Sequence, residues 1–346
     1  MRAFAGRVIE WQQVSGRHDL PWQRTRDPYR IWLSEIMLQQ TQVAAVVPYY
    51  HRFLACFPDL ASLAASPEDD VLVLWSGLGY YARARNLHRA ARAIFERHAG
   101  VFPDAFDDIV ALPGIGRSTA GAVAVFAFGA RQPILDGNVK RVLARVFGIT
   151  GFPGEKKVEA AMWAQAEALL PSSGVEAYTQ GLMDLGAGVC TRSRPRCDVC
   201  PLHDECVARR EDRIAVLPAP RKRKTLPEKS TVMLILRRKR EVLLEKRPAP
   251  GIWGGLWSFP EIAHLGDAAH MLRARFGAEV MSEGTLPEVH HGFTHFALTI
   301  TPALLRVTRL EHRAHSPGHL WLTPADAINA AVPAPVREIL RRLDGG

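Results

Sequence analysis

Four of the five cysteines lie in one short run, at Cys190, Cys197, Cys200 and Cys206. Four thiols this close in the chain can surround one metal centre at little cost in loop entropy. A disulfide framework is the weaker alternative, because nothing in the sequence is typical of a secreted protein. A structural zinc site and an iron–sulfur cluster use the same four thiolates, so the spacing leaves both open.

Length and composition indicate two soluble domains. The chain has 346 residues, of which 47% are hydrophobic and 23% charged, so it has enough apolar material for two cores. The net charge of +9 favours a polyanionic partner. We expect a soluble, cytoplasmic, monomeric protein with no membrane partner, since no apolar run has the length of a signal peptide or a membrane helix. Cys56, which follows Leu54 and Ala55, is predicted to be a buried structural thiol.

The spacing of apolar residues predicts an all-α domain over residues 1–210. Asp27 and Pro28 are typical of a helix start, and we expect that helix to extend to about Val47, ahead of Pro48. The other predicted helices cover residues 67–74, 85–98, 106–111, 118–128, 138–146, 155–170 and 175–186.

A basic, proline-containing stretch separates this domain from a second one. Residues 221–240 contain nine Lys or Arg and one acid, Glu228, and we place a linker at 211–229. Residues 230–346 are typical of a smaller α+β domain, so the chain is predicted to be multidomain. The elements predicted in this domain are strands over 231–236, 242–245, 293–301 and 303–308 and a helix near 267–276.

Two glycines predict a tight turn between short helices. Gly114 and Gly116 follow Pro113, and Ser118 suits the start of the next helix. Glycines let backbone amides approach a phosphate, and a helix N-terminus faces the same anion. A helical corner without a ligand is the alternative.

Asp136 follows Gly116 by twenty residues and precedes a helix that opens near Asn138. The simplest interpretation is an N-cap aspartate. The same position suits catalysis, because backbone amides and the helix dipole would keep the carboxylate ionised and fix its direction. A fixed carboxylate can stabilise an oxocarbenium-like sugar.

Taken in order, the Pro-Gly-Ile-Gly turn, Asp136 and the cysteine run resemble the helix–hairpin–helix DNA glycosylases that carry a [4Fe-4S] cluster. Two further segments, Trp32–Val43 and Gly77–Leu87, are similar to the MutY family within that superfamily. The resemblance implies a [4Fe-4S] cluster on the four cysteines. It also implies an adenine DNA glycosylase in base excision repair, acting on double-stranded DNA that contains A:8-oxoguanine or A:G mispairs.

The resemblance also implies the catalytic roles. Glu35 would protonate N7 of the flipped adenine, and Asp136 would stabilise the oxocarbenium ion. Leu38, Gln39 and Gln42 would share a helix face with Glu35, and such mostly uncharged surroundings raise the pKa of a carboxyl. Ser118 stands where endonuclease III has the lysine that forms a Schiff base, which implies a monofunctional enzyme with little or no strand cleavage.

Contacts to DNA follow from the same resemblance. Gln40 and Tyr80 match residues that insert into the duplex beside the lesion, and Arg24 resembles a residue near the adenine pocket. Lys140 is assigned to a phosphate or sugar contact rather than to the nucleophile. The remaining DNA contacts of the first domain are assigned to Gly114, Gly116, Ser118 and Asn138, and to the basic residues Arg192, Arg194 and Arg196 between the cysteines.

The second domain resembles the MutT or Nudix fold. Phe293, Thr294 and His295 match a loop that probes 8-oxoguanine, with Thr294 in the place of a serine; a histidine cluster at a strand edge is the alternative. The region from Gly266 to Val280 has one glutamate and lacks the glutamate box of Nudix hydrolases, which predicts recognition without hydrolysis.

Three other functions remain as alternatives. An endonuclease III-like lyase conflicts with Ser118 and with the second domain. A non-catalytic iron–sulfur DNA-binding protein conflicts with the presence of both Glu35 and Asp136 in their motifs. A nucleotide pyrophosphatase conflicts with the missing glutamate box.

Overall fold

The computed structural model describes residues 2–221, 225–248, 251–311 and 318–345, and its contacts divide the chain into two compact units. Unit 1 comprises Met1–Ala65 and Asn86–Arg223, and unit 2 comprises Ser66–Arg85 and Lys224–Gly346. The predicted fold class, an all-helical part followed by a smaller part with a sheet, is confirmed. The predicted first domain contained residues 66–85, whereas in the structure this segment groups with unit 2. Residues 222–224 of the predicted linker lie outside the described residues.

Helices build unit 1, and helix α6 crosses the division between the units. The helices of the N-terminal half are α1 (Arg2–Ser15), α2 (Pro28–Leu38), α3 (Val43–Cys56), α4 (Leu60–Ala65), α5 (Glu68–Trp75), α6 (Ala82–Arg97), α7 (Phe106–Val110), α8 (Arg117–Phe128), α9 (Gly137–Val146), α10 (Lys156–Leu169), α11 (Val175–Asp184) and α12 (Val207–Arg210). Short 3-10 turns at Pro21–Arg24 and Cys197–Val199 and a π-helical turn at Leu185–Val189 complete this half.

The helix that starts at Pro28 ends at Leu38, so its predicted extension to about Val47 is wrong. Asp27 caps this helix as predicted, since its carboxylate accepts a 2.9 Å hydrogen bond from the amide of Tyr29. The helical conformation is interrupted at Gln40, whose φ of +57° lies in the left-handed region. A new helix, α3, then includes Pro48 in its interior.

Cys56 is exposed at the end of α3, so the prediction of a buried thiol is wrong. The aromatic side chains Phe53 and Phe57 occupy the buried positions of this segment. Apolar neighbours in sequence did not identify the buried face, because a helix turns about 100° per residue.

The core of unit 1 is built around α9. Val139, Val142 and Leu143 are fully buried or nearly so, and they belong to one apolar cluster with residues of α1, α10 and α11. The side chains of Cys190 and Cys206 pack against the same cluster. The helix that Asp136 precedes is therefore also the helix against which the cysteine run folds.

An eight-stranded sheet with helices forms most of unit 2. Its further elements are β1 (Glu228–Arg238), β2 (Glu241–Lys246), β3 (Trp257–Ser258), β4 (Glu261–Ile262), α13 (Ala268–Phe276), β5 (Ala278–Thr285), β6 (Val289–Gly292), β7 (Ala297–Leu310), β8 (His319–Leu322), α14 (Pro324–Asn329) and α15 (Ala334–Asp344). The central strands lie in the order β3-β2-β1-β7-β5, with β1 and β7 parallel. Leu234, Leu243, Leu272 and Phe276 form part of the core between the sheet and α13.

A single strand, β7, replaces the two strands predicted at 293–301 and 303–308. Pro302, which lies between the two predicted strands, is inside β7. On one side of β7 the partner changes at this point, from β6 opposite Ile300 to β5 opposite Ala303. The Pro302 carbonyl accepts from Leu286, and the missing N–H falls between the two partner strands. In the ranges that the structure describes, no helix is long and apolar enough to cross a membrane.

Candidate active site and cysteine cluster

Glu35 lies on α2 and lines a cleft of about 660 Å³. The residue is partly buried, and Arg24, Ser34 and Leu38 line the same cleft. Burial raises the pKa of Glu35 to about 8, and the negative charge of Asp136 contributes to the rise. A carboxyl with this pKa is mostly protonated at pH 7, so it can donate a proton.

Asp136 is the N-cap of α9, as predicted. One carboxylate oxygen accepts a 2.8 Å hydrogen bond from the amide of Val139, and the other accepts a 3.2 Å bond from the side-chain amide of Asn138. These bonds lower the pKa of Asp136, but burial outweighs them and raises it above the ordinary aspartate value. As expected, the amides favour the ionised form of Asp136. Burial favours the protonated form and has the larger effect.

The hairpin reaches the segment before Asp136 through Ser118, whose hydroxyl oxygen accepts a 2.9 Å hydrogen bond from the amide of Leu135. Gly121, on the next turn of α8, permits this close approach. A Cβ atom there would lie 2.6 Å from the carbonyl oxygen of Pro133. Gly114 has a φ of +78° and a Cβ there would collide with Asn86, so both its conformation and its surroundings require glycine. Gly116 is the exposed N-cap of α8.

A chain of hydrogen bonds runs from Asp136 to the first cysteine. Asn138 donates to Asp136 and accepts a 2.8 Å bond from Arg141. The guanidinium of Arg141 also donates to the carbonyl of Cys190 at 2.7 Å and to that of Gly186 at 2.6 Å. The first turn of α9 is therefore tied directly to the start of the cysteine run.

Arg145, one turn further along α9, is buried beside the cysteines with 3% of its surface exposed. Its guanidinium donates to the carbonyls of Thr191 at 2.7 Å, Arg192 at 2.9 Å and Leu217 at 2.9 Å. It also lies 3.4 Å from the Sγ atom of Cys190. A buried cation thus organises the backbone of the loop that carries the cysteines.

The four cysteines line one cavity, together with Arg145. Burial, with smaller contributions from the other three cysteines, raises the pKa of Cys200 to about 11, so all four lie within electrostatic reach of one another. Among the described residues, no three His, Cys, Asp or Glu side chains are close enough together to hold one metal ion. The donor set fits a soft metal centre that supplies positive charge, because four uncompensated thiolates would repel each other.

The other predicted DNA-contacting residues of unit 1 differ in their exposure and in their partners within the protein. Gln40 is exposed at the turn between α2 and α3. The Nζ atom of Lys140 donates to Glu159 on α10 at 2.6 Å, so its charge is engaged inside unit 1. Arg192, Arg194 and Arg196 have exposed side chains.

Tyr80 belongs to unit 2, in the turn that precedes α6. It is 46% exposed and its φ is +50°, a conformation that is unusual for an aromatic residue. Arg83 holds this turn, since its guanidinium donates to the carbonyls of Leu78 and Gly79 and lies 5.4 Å from the ring of Tyr80. An aromatic side chain is thus displayed on a fixed turn.

The predicted recognition loop forms a turn between β6 and β7. The amide of Phe293 donates to the carbonyl of Phe296 at 2.9 Å and closes the turn. Thr294 and His295 are exposed at its tip, with their side-chain Oγ1 and Nδ1 atoms 3.5 Å apart. The tip therefore offers a hydroxyl and an imidazole to a partner.

Comparison with known families identifies both parts of the chain. Residues 33–168 match the HhH-GPD superfamily of base excision DNA repair proteins, and residues 231–342 match the NUDIX domain. An adenine DNA glycosylase of Buchnera aphidicola subsp. Acyrthosiphon pisum is 39% identical over 97% of this chain and 96% of its own length. The human adenine DNA glycosylase is 32% identical over 99% of this chain and 74% of its own length.

This chain belongs to the adenine DNA glycosylase family. It is a DNA N-glycosylase with a helix–hairpin–helix part and a Nudix-like part, as the sequence predicts. A thermostable thymine-DNA glycosylase of known structure is 29% identical and superposes with a TM-score of 0.56 over 61% of this chain and 96% of its own. An endonuclease III structure, at 21% identity and a TM-score of 0.53, shares the fold over 61% of this chain and 96% of its own.

Sequence reasoning missed two residues that organise the cysteine loop beside Asp136. Arg141 and Arg145 read as ordinary basic positions of an amphipathic helix. Their spacing of four places them on one helix face, and that face points to the cysteine run. The signal that could have identified them is Arg145 itself, an arginine among the apolar residues Val142, Leu143 and Val146 of a helix that must be buried.

Proposed function

We propose that this glycosylase removes adenine from duplex DNA where adenine is paired with 8-oxoguanine or with guanine. The names of its relatives support the base, and Glu35 supports the chemistry. The observation that carries the proposal is a carboxyl with a pKa of about 8 in a cleft, influenced by the charge of a second, N-capping carboxylate. Adenine must leave the base stack to reach such a cleft.

In the proposed reaction, Glu35 gives its proton to N7 of the flipped adenine. The bond between N9 and C1′ then breaks, and its electron pair leaves with the neutral base. Asp136 stabilises the positive charge that develops on the sugar, and water adds to C1′ with loss of a proton. Two carboxyl groups with different protonation states perform the two tasks, as in other glycosidic hydrolyses.

We further propose that the enzyme is monofunctional, with little or no strand cleavage. Ser118 has no amine, and its hydroxyl accepts the bond from the Leu135 amide. The amine of Lys140 is paired with Glu159. A Schiff base with the sugar requires a free amine, and neither residue offers one.

The four cysteines are proposed to hold a [4Fe-4S] cluster. They surround a cavity rather than a point, which suits a cluster of several atoms better than a single zinc ion. When bound, the cluster supplies positive charge and rigid cross-linking of the loop. Arg192, Arg194 and Arg196 then contact phosphates from a fixed platform. Visible absorbance and iron content of the purified protein distinguish the cluster from zinc.

The C-terminal turn is proposed to recognise 8-oxoguanine through Phe293, Thr294 and His295, without nucleotide hydrolysis. Support comes from the exposed hydroxyl and imidazole at its tip. Helix α13, in the place of the Nudix glutamate box, has no glutamate. Gln40, Tyr80 and Arg24 are proposed to contact the opened duplex and the flipped base.

The test of the catalytic proposal uses Glu35→Gln and Asp136→Asn in the full chain. Each variant is expected to abolish adenine excision from an A:8-oxoguanine duplex while DNA binding persists. Glu176→Gln is the matched control, since Glu176 is a carboxyl that lines the same cleft and pairs with Arg26. Near-normal excision by Glu35→Gln or Asp136→Asn would remove that residue from the mechanism.

A further inference from the structure

In unit 2, Trp253 lies in a cluster of rings that includes Phe293 of the proposed recognition turn. The Trp253 ring centroid lies 5.4 Å from that of Phe293 and 5.6 Å from that of His291. His291 meets Phe293 edge to face at 4.6 Å. Contacts of this kind fix the orientation of each ring and are worth about 0.5–1.5 kcal/mol per pair beyond the area that they bury.

Phe293 connects this cluster to the exposed tip of the recognition turn. Its ring stacks on Phe296 at 4.4 Å, and the backbones of these two residues close the turn. Thr294 and His295 are the two residues between them. The position of Phe293 therefore sets the position of the exposed hydroxyl and imidazole, and Trp253 and His291 hold Phe293.

The backbone of Trp253 makes the presence of a large ring informative. Its φ is +55°, in the left-handed region where glycine is favoured and a bulky side chain is strained. The two following residues, Gly254 and Gly255, are glycines. Such strain persists where the surrounding structure maintains it, and it concentrates at functional sites. With 9% of its surface exposed, the Trp253 ring is held in place by its neighbours.

The turn that carries Trp253 is anchored in two places. The amide of Gly255 donates to the carbonyl of Arg247 at 2.9 Å, and the amide of Leu256 donates to that of Trp253 at 3.0 Å. Arg85, which follows the Tyr80 turn in sequence, donates from its guanidinium to the carbonyl of Gly254. Hydrogen bonds to Arg247 and to Arg85, at the start of α6, therefore hold the turn that carries Trp253.

We propose that Trp253 is a positioning residue for recognition of the base opposite adenine. Its ring holds Phe293 and His291, and so fixes Thr294 and His295 in the orientation that distinguishes 8-oxoguanine from guanine. The proposal rests on the proposed function of the recognition turn. It assigns Trp253 no contact with the base and no part in the chemistry at Glu35 and Asp136.

The test compares Trp253→Ala with Trp257→Ala in the full chain. Trp257 is a matched control because it belongs to the same unit, is also 9% exposed, and lies near Lys246 instead of the recognition turn. The readout is the ratio of single-turnover excision rates on A:8-oxoguanine and A:G duplexes. A general loss of folded protein lowers both rates equally and leaves this ratio unchanged.

Trp253→Ala is expected to lower the ratio about tenfold, the effect of losing one well-placed hydrogen bond, with the A:G rate within about twofold. Trp253→Phe, which keeps a ring, is expected to retain most of the ratio, and Trp257→Ala all of it. If Trp253→Ala does not fold, Trp253→Leu keeps apolar volume without the ring and carries the same expectation.

A double variant of the turn, Thr294→Ala with His295→Ala, separates the two proposals. If the double variant lowers the ratio and Trp253→Ala does not, the positioning role is wrong and the function of the turn stands. If the double variant leaves the ratio unchanged, the proposed function of the turn is wrong, and the positioning role fails with it. Equal losses in Trp253→Ala and Trp257→Ala would also overturn the proposal.

Discussion

The hydroxyl oxygen of Ser118 accepts a 2.9 Å hydrogen bond from the backbone amide of Leu135, one residue before Asp136. Leu135 is 3% exposed, so its amide depends on this partner. The bond joins the N-terminus of α8 to the segment that presents Asp136, the carboxylate proposed to act in catalysis. Ser118 lacks the amine that a Schiff base requires, but it has a structural role of its own.

Ser118→Ala is expected to reduce the free energy of unfolding by about 1–3 kcal/mol, because it leaves a buried amide without its acceptor. Excision under single-turnover conditions is expected to slow several-fold as Asp136 loses its fixed position. Denaturant unfolding and excision assays measure the two effects. Ser173→Ala, at an exposed loop position, is the control and is expected to change neither. Identical behaviour of the two variants would contradict the role assigned to Ser118.

The excision rate is expected to fall as the pH rises through about 8. Glu35 must carry a proton to protonate the base, and its pKa is about 8. A second fall is expected on the acidic side, at a pH above the ordinary aspartate range, because burial raises the pKa of Asp136 and protonation removes its charge. Single-turnover rates across the pH range test this profile. Glu176→Gln should preserve the alkaline fall, and a rate that stays constant to pH values well above 8 would exclude Glu35 as the acid.

Glu35 is also expected to make the folded state more sensitive to pH. Burial raises its pKa from 4.5, the ordinary value for a glutamate side chain, to about 8, so the folded state binds the proton more tightly. The stabilisation from this proton is complete below pH 4.5 and is lost as the pH rises towards 8. Glu35→Gln should therefore gain stability relative to the parent by up to about 1.4 kcal/mol per pH unit within this window.

Unfolding free energies of parent and Glu35→Gln, measured at several pH values, test this prediction. Glu96→Gln provides the control, since Glu96 is exposed on α6 and should leave the difference constant. Parallel pH curves for Glu35→Gln and the parent would show that Glu35 does not hold its proton more tightly in the folded protein.

Arg145→Met is expected to destabilise unit 1 by about 3 kcal/mol or more and to lower the iron content. The substitution removes the donors to the carbonyls of Thr191, Arg192 and Leu217 and the cation beside Cys190. Thermal unfolding and visible absorbance per protein measure the two losses. Arg145→Lys keeps the charge but not the fork of donors, so an intermediate loss is expected. Arg210→Met, which removes an exposed arginine of α12, is the control and should change neither the stability nor the absorbance. If Arg210→Met lowers both as much as Arg145→Met does, net charge rather than the contacts of Arg145 is the cause.

Local patterns predicted several structural features around the candidate site. The Asp27-Pro28 start of α2, the glycine hairpin before α8 and the N-cap position of Asp136 all depend on short-range rules of capping and glycine conformation. These rules act within a few residues, so they can be applied to a sequence alone. The order of these elements, rather than any one of them, indicated the family.

Features that depend on long-range packing were not predicted. The assignment of Ser66–Arg85 to unit 2 depends on contacts with residues far along the chain, such as the hydrogen bond from Arg337 to Ser76 at 2.7 Å. The end of α2 at Gln40 depends on a left-handed residue that composition does not mark. The buried position of Arg145 and the exposure of Cys56 follow from which helix face meets the core, and this requires the neighbouring helices.

The most direct test of the central claim is excision from a duplex with one adenine opposite 8-oxoguanine, under excess enzyme, divided into samples with and without alkali. Hydrolysis directed by Glu35 and Asp136 predicts strand breaks at the adenine position only in the alkali-treated samples. Equal breaks without alkali would show lyase chemistry and contradict the roles of Ser118 and Lys140. An absence of breaks in both samples, with the duplex tightly bound, would contradict the assignment of adenine as the substrate.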